Sequence, residues 1–223
     1  AIASNSDVAM YFANLGRIEK ARGKLREAEC AYTEAIKINA TDYKNYSDLA
    51  AVLIELEDYG KAEKVARAAL KISSKNPYVL LNLGLAQLGL GLTESAISSF
   101  QLASEKGPYL AEAHFQYGRM LQNNGHLNLA EKIYEKAIKV EPDMIEAYCN
   151  LGNVLRMKGL FEKAINCFDR ALTIKPESGE IFANKGVVLH EMGHREKAIK
   201  CYRKGLRLNP NNSEAHKNLS MAL

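Results

Sequence analysis

The chain of 223 residues carries 30 basic and 26 acidic side chains, and its formal net charge is +4. Because the two kinds of charge are nearly balanced and interspersed, the composition argues against a nucleic-acid or anionic-membrane partner. No apolar run approaches the ~18 residues of a transmembrane helix, and the opening AIASNSDVAM lacks the charged and apolar regions of a signal peptide.

A polar lead-in at residues 1–8 is followed by a pattern that recurs every 34 residues. We expect six units of two helices each, and then the start of a seventh unit at residues 213–223. The six units cover residues 9–212 and are 9–42, 43–76, 77–110, 111–144, 145–178 and 179–212. Since such a chain grows by repetition, its length does not indicate one or two ordinary globular domains.

The unit at residues 145–178 shows the pattern most clearly. Its first half places Tyr148 and Leu151 on one face of an α-helix, and Gly159 then ends that helix as a residue that tolerates positive φ. The second half carries another apolar stripe, and Pro176 lies beyond it, where it cannot continue the helix. Neither helix could bury its stripe alone, so we expect each to pack on the other and on adjacent units.

Residues of fixed size recur at fixed positions of the period. One position in each first helix is small, and it is occupied by Gly16, Ala50, Gly84, Gly118, Gly152, Gly186 and Ser220. One position in each second helix is alanine, namely Ala28, Ala62, Ala96, Ala130, Ala164 and Ala198. Four residues later stand Tyr32, Ala66, Phe100, Tyr134, Phe168 and Tyr202. We interpret the small residues as points where helix axes approach closely and the large ones as filling between helices.

These positions carry a family resemblance. In residues 145–178 they read Tyr148-x2-Leu151-Gly152-x2-Leu155, then Ala164-x3-Phe168, then Pro176. This is similar to the signature of the tetratricopeptide repeat (TPR) family, W-x2-L-G-x2-Y, A-x3-F and P in a 34-residue period. The resemblance extends from about Ala9 to the end of the chain. It implies an all-α fold, a right-handed TPR superhelix (α-solenoid) of antiparallel helix pairs that acts as a protein-interaction scaffold.

Two units depart from the pattern. In the second unit, Ala50 and Ala66 replace the glycine and the aromatic residue. The missing ring leaves space in the core unless neighbouring side chains fill it, so we expect this repeat to be less stable than the others. In the sixth, Lys185 stands where leucine is expected and Gly205 where alanine is expected. We interpret Lys185 as an aliphatic stem that lies on the core with its ammonium group in water.

The segment 213–223 is apolar where it stops, on Met221, Ala222 and Leu223. A terminal repeat should instead show water a polar outer face. We therefore infer that the chain was cut from a longer protein, or that this end docks on a partner. Self-association through the C-terminal end is one form of such docking.

The sequence HEMGH at residues 190–194 matches H-E-x-x-H, a zinc-protease pattern that needs both histidines on one helix face. Gly193 lies 34 residues after Gly159, at the turn between the two helices of a repeat. We therefore expect the first helix to end before His194 and no zinc site to form. No serine or cysteine has a recognisable nucleophile motif beside it. We predict no enzyme activity, no metal and no cofactor in this segment.

The cysteines bear on location. Cys30, Cys149, Cys167 and Cys201 form no C-x2-C pair and are not spaced like a set of zinc ligands. A reducing compartment is the simplest setting for such thiols, so we predict a cytoplasmic protein. Glycosylation triplets that begin at Asn39, Asn45, Asn211 and Asn218 leave a lumenal location open as the alternative.

The main functional signal is a polar row along the first helices. Two residues before the small position stand Asn14, Asp48, Asn82, Gln116, Asn150, Asn184 and Asn218. In the TPR family this position faces the concave surface, and a side-chain amide offers both donors and an acceptor to a peptide backbone. The row is similar to the asparagine ladder in the TPR region of O-linked N-acetylglucosamine transferase. The resemblance implies a concave groove that binds an extended peptide or helix through Asn14, Asn82, Gln116, Arg119, Asn150, Asn153, Asn184 and Asn218.

Several alternatives stay open. Asparagine is also the consensus residue at this position, so the row fits a purely structural role as well. In TPR proteins that clamp acidic chaperone tails, Asn153 and Asn184 would match, but Cys149, Glu214 and Asn218 stand where the clamp has Lys or Arg. The chain could also be the substrate-recruiting region of a larger, glycosyltransferase-like enzyme, or a self-assembly module.

Overall fold

The computed structural model describes residues 5–223, which contain thirteen α-helices and no strand. The helices are α1 (Asn5–Ala21), α2 (Leu25–Ile38), α3 (Tyr43–Glu55), α4 (Tyr59–Ile72), α5 (Pro77–Gly89), α6 (Thr93–Lys106), α7 (Ala111–Asn123), α8 (Leu127–Val140), α9 (Ile145–Met157), α10 (Phe161–Ile174), α11 (Gly179–Glu191), α12 (Arg195–Leu208) and α13 (Ser213–Ala222). The predicted all-α fold of helix pairs is confirmed.

The predictions of a polar lead-in and of no transmembrane helix can be compared with the described residues. The first four residues of the predicted lead-in lie outside the described part, and α1 already begins at Asn5. Within residues 5–223, no helix is both long enough and apolar enough to cross a membrane. The division into six repeats and a partial seventh stays a prediction.

The chain forms two compact units, Ala1–Ala113 and His114–Leu223, with the boundary inside α7. In the first unit α1 packs on α2, α3 on α4 and α5 on α6, and contacts of α2 with α3 and of α4 with α5 join the successive pairs. In the second unit α9 packs on α10 and α11 on α12, while α8, α10 and α12 each contact the helix that follows. Because the turn within each pair is short, the paired helices run antiparallel.

A glycine of the first helix faces the aromatic ring of the second helix in five helix pairs of the described chain. These contacts are Gly16–Tyr32, Gly84–Phe100, Gly118–Tyr134, Gly152–Phe168 and Gly186–Tyr202. A Cβ atom at Gly152 would lie only 2.8 Å from the ring of Phe168, and that ring is fully buried. Glycine recurs here because the ring packs directly on the helix backbone.

The second helix pair of the first unit, α3 and α4, has alanine at both of these positions. Ala50 and Ala66 belong to a buried cluster, and Tyr43 and Tyr46 pack against it. The cluster also contains Val79 and Leu83 of α5, so apolar side chains of three helices surround the place of the missing aromatic residue. The methyl group of Ala50 occupies the place where the other pairs have only hydrogen, so the two substitutions compensate each other.

The turns inside the helix pairs require a residue with positive φ. Gly23, Gly91, Gly125, Gly159 and Gly193 have φ between 73° and 79°. In the second pair the same place is taken by Glu57, with a φ of 59°. A side chain in this left-handed region is crowded by its own backbone, so the turn at Glu57 is strained relative to the others.

We expect Glu57→Gly to stabilise the first unit by up to about 1 kcal/mol, because glycine relieves this strain although it also adds entropy to the unfolded chain. The matched control is Gly125→Glu in the second unit, where φ is 77° and a loss of similar size is expected. Thermal unfolding of both variants measures the two shifts. A lower melting temperature for Glu57→Gly would contradict the argument.

Candidate functional site

The H-E-x-x-H segment is divided between two helices. α11 ends at Glu191, Gly193 has a φ of 79°, and His194 precedes the first residue of α12. His190 and His194 therefore do not lie one turn apart on one helix, and the predicted end of the helix before His194 is confirmed. Within residues 5–223, no group of three His, Cys, Asp or Glu side chains is placed to hold a metal ion.

The thiols of the second unit, on Cys149, Cys167 and Cys201, are half-buried. Burial raises the pKa of Cys149 to about 12, and the carboxylates of Glu180 and Glu146 act in the same direction. Burial likewise raises the pKa of Cys167 to about 11. Because a thiolate is the reactive form of cysteine, the raised pKa values make these two thiols poor nucleophiles at neutral pH.

The polar row of the first unit is partly engaged in the fold. Asn82 donates from Nδ2 to the Ser47 carbonyl at 2.9 Å and to the Ser47 hydroxyl at 3.2 Å. The guanidinium of Arg17 donates to Oδ1 of Asn14. Asn82 thus links α5 to α3, and any ligand would use only the remaining hydrogen-bonding capacity of its amide.

A polar pocket of about 340 Å³ lies between α1, α3 and the segment that joins α2 to α3. It is lined by Ser6, Ala9, Met10, Ala13, Asn14, Arg17, Asn39, Asp42, Lys44, Asn45 and Asp48. Burial raises the pKa of Asp48, and the charges of Lys20 and Arg17 oppose that shift. The lining contains two carboxylates and two cations, so it offers dipolar rather than net-charged surroundings.

Asn45 is the pocket residue that the sequence analysis missed. Only 4% of its surface is exposed, yet its side-chain amide has no hydrogen-bond partner in the described part of the chain. A signal was present, because the equivalent positions of the next helices are apolar: Val79, Ala113, Ala147, Ile181 and Ala215. Buried polar groups are normally hydrogen-bonded, so a polar side chain at an apolar position of the repeat marks a candidate functional residue.

In the second unit the row divides into engaged and unengaged side chains. The amide of Asn150 hydrogen-bonds the hydroxyl of Tyr134, which itself donates to Oε1 of Gln122 at 2.8 Å. Burial raises the pKa of Tyr134, against the opposing effects of Asn150 and the charge of Arg119. Gln116 is only 6% exposed, so most of its side chain lies within the helix packing.

Three predicted site residues keep their amides available. Asn153, Asn184 and Asn218 are half-buried, and none of their side chains has a hydrogen-bond partner within residues 5–223. They lie on α9, α11 and α13, and α11 contacts both of the other helices. Nη1 of Arg156 on α9 and Oε1 of Glu191 on α11 form an ion pair at 2.6 Å, which ties the first two of these helices together.

Repeated antiparallel helix pairs with a polar row on the first helices define a helical-repeat protein. Profiles of the tetratricopeptide repeat match residues 47–111, 111–144, 145–178 and 179–212, so the chain belongs to the tetratricopeptide repeat family. Tetratricopeptide repeat protein 7B of Homo sapiens is 34% identical over 90 residues, which are 40% of this chain. The match spans only 11% of that protein's length.

Solved structures with the same fold are similar over nearly the whole chain. YrrB, described as a TPR protein with an unusual peptide-binding site, superposes with a TM-score of 0.74 at 22% identity, covering 86% of this chain and 98% of its own. PilF of Pseudomonas aeruginosa superposes with a TM-score of 0.85 at 17% identity, covering 97% and 99%. At these identities the likeness concerns the fold alone.

Proposed function

We propose that this protein is a protein-interaction scaffold that binds an extended polypeptide segment through amides on its first helices. The observation that carries the proposal is the pair Asn184 and Asn218, which stand at the same repeat position, half-buried and without partners in the described chain. The description of YrrB as a peptide-binding TPR protein supports the same reading. So does the resemblance of the row to the asparagine ladder of O-linked N-acetylglucosamine transferase.

The chemistry of an amide suits a ligand of variable sequence. Each asparagine side chain has two N–H donors and one carbonyl acceptor, so it pairs with the peptide groups of an extended chain in either direction. Half-burial excludes part of the competing water and strengthens such bonds. Asn153, one turn beyond the row on α9, offers a further amide beside Asn150, whose own amide already holds Tyr134.

The test is the double variant Asn184→Ala with Asn218→Ala. Each lost hydrogen bond should weaken binding by about 0.5–1.5 kcal/mol, so the double variant should bind roughly 5- to 150-fold less tightly. The probes are unstructured peptides selected from a displayed library against the wild-type chain, and their affinities are measured by fluorescence anisotropy. Neither amide contributes to the fold, so the melting temperature should change little.

The matched control is Asn128→Ala with Asn166→Ala, two exposed asparagines on the second helices α8 and α10. This control should bind like the wild type. Equal affinities for all three proteins would show that the amides of α11 and α13 do not contact the peptide. A loss of binding in the control alone would place the ligand on the second helices instead.

A further inference from the structure

Helices α12 and α13 border an open groove of about 530 Å³ in the second unit. It is lined by Lys200, Arg203, Leu206, Arg207 and Leu219. Leu206 and Leu219 are half-buried, and Leu219 also packs against the buried cluster that contains Tyr202. The groove therefore has an apolar floor that is anchored in the core.

The side chains along this groove carry positive charge that the fold leaves uncompensated. Helix α12, with the sequence REKAIKCYRKGLRL, has six basic side chains and a single acidic one. Lys200, Arg203 and Arg207 are all exposed, and none of them has an ion-pair partner within residues 5–223. They stand at i, i+3 and i+7, so they follow one side of the helix.

Two of the other three cations of α12 are engaged elsewhere. The guanidinium of Arg195 donates to the carbonyl oxygens of Ala222 and Leu223. The ammonium group of Lys204 lies 4.3 Å from the centre of the Phe182 ring. Three of the four uncompensated cations of α12 thus line the groove, and the fourth, Lys197, lies outside it.

One repeat earlier, the residues equivalent to Arg203 and Leu219 are oppositely charged and pair with each other. Asp169 on α10 and Lys185 on α11 occupy the places that Arg203 and Leu219 hold at the groove, and their side chains form an ion pair at 2.5 Å. Lys185, which we expected to keep its ammonium group in water, therefore has a carboxylate partner. No carboxylate lines the groove, so its cations are free to pair with acidic side chains of a partner.

We propose that this groove binds an amphipathic helix of a partner protein whose apolar stripe is flanked by Asp and Glu. The stripe covers Leu206 and Leu219, and the acidic side chains pair with Lys200, Arg203 and Arg207. An apolar floor with a charged side is the arrangement by which grooves select amphipathic helices. The surface is separate from the amides of Asn184 and Asn218, and the proposal does not depend on them.

The probe is a fluorescein-labelled peptide of about 20 residues with leucines at i, i+3, i+4 and i+7 and glutamates beside them. Two control peptides have the same composition in scrambled order, and the same leucine stripe with lysines for glutamates. We expect the whole chain to bind the acidic amphipathic peptide at least about tenfold more tightly than either control. Binding should weaken as salt rises, because exposed charge pairs are screened.

The decisive variant is Arg203→Glu with Arg207→Glu. It should lose about tenfold or more in affinity for the acidic peptide and gain affinity for the lysine peptide, a reversal that misfolding could not produce. The matched control is Lys132→Glu with Lys139→Glu, which reverses two exposed, unpaired cations of α8 and should bind like the wild type. The Asn184→Ala, Asn218→Ala variant should also bind the acidic peptide unchanged.

Three results would overturn the proposal. The first is equal binding of the acidic, scrambled and lysine peptides. The second is an equal loss of affinity in the α8 control, which would indicate a general charge effect. The third is a dimer of the whole chain, seen in sedimentation equilibrium and dissociated by Arg203→Glu with Arg207→Glu, which would make a second copy the occupant of the groove.

Discussion

Replacing Gly152 by alanine should destabilise the second unit by about 1–3 kcal/mol, although alanine is the better helix former. The new Cβ atom would lie 2.8 Å from Cζ and 2.9 Å from Cε1 of Phe168. The ring is fully buried, so either the ring or the helix backbone must shift to make room. Urea unfolding followed by circular dichroism measures the loss.

A double-mutant cycle with Phe168→Ala tests the cause. Phe168→Ala alone should cost about 3–5 kcal/mol because it leaves a cavity. With Gly152→Ala added, the new methyl group points into that cavity, so the double variant should lose less than the sum of the single losses. The pair Ala50 and Ala66 already has this arrangement in the first unit.

The matched control for the glycine is Gly60→Ala in α4. A Cβ atom there meets nothing within 4 Å, and φ is not positive, so the change should be neutral or stabilising. Additive losses in the cycle, or a Gly152→Ala variant as stable as the Gly60→Ala variant, would contradict close packing of the ring on the helix.

Gly205→Ala should also cost about 1–3 kcal/mol, even though it restores the residue that the repeat pattern calls for. Alanine stands at this position in the five preceding repeats, at Ala35, Ala69, Ala103, Ala137 and Ala171. A Cβ atom at Gly205 would lie 2.8 Å from the carbonyl oxygen of Gly179, the first residue of α11. A backbone atom in a packed helix cannot turn aside as a side chain can, so α11 and α12 would be pushed apart.

Thermal unfolding compares Gly205→Ala with the neutral Gly60→Ala control. Gly179→Ala should be destabilising as well, because its Cβ atom would lie 2.6 Å from the carbonyl oxygen of Gly205. If Gly205→Ala instead raised the melting temperature, the two helices would not approach each other as closely as the structure places them.

The sequence predicted which positions form the polar row, but not which of their side chains are already hydrogen-bonded within the fold. Repeat spacing located Asn82, Asn150, Asn184 and Asn218 at equivalent positions. It did not show that Asn82 is held by Ser47 on the preceding first helix, or that Asn150 is held by a tyrosine hydroxyl. Those bonds depend on rotamers and on contacts between helices, which a spacing argument does not contain.

The groove beside α12 could likewise be predicted only in part from the sequence. The apolar end of the chain was recognised from Met221 and Leu223, which are 58% and 66% exposed. The proposed docking surface, however, is formed by Leu206 and Leu219 beneath the cations of α12. These residues come together only when α13 packs on α12, so no single helix displays the pattern.

The helices, their pairing and the turns could be predicted from the amino-acid sequence, because they follow from short-range periodicity and from residues such as Gly159 that set local backbone conformation. Identical spacing implied identical positions, and the five glycine–aromatic contacts bear that out. The exceptions became visible only in the folded chain: the close backbone approach between Gly179 and Gly205, and the amides of Asn184 and Asn218 without partners in the described residues. Those outcomes depend on distances of a few ångströms between residues far apart in the chain, and packing, rather than local pattern, sets such distances.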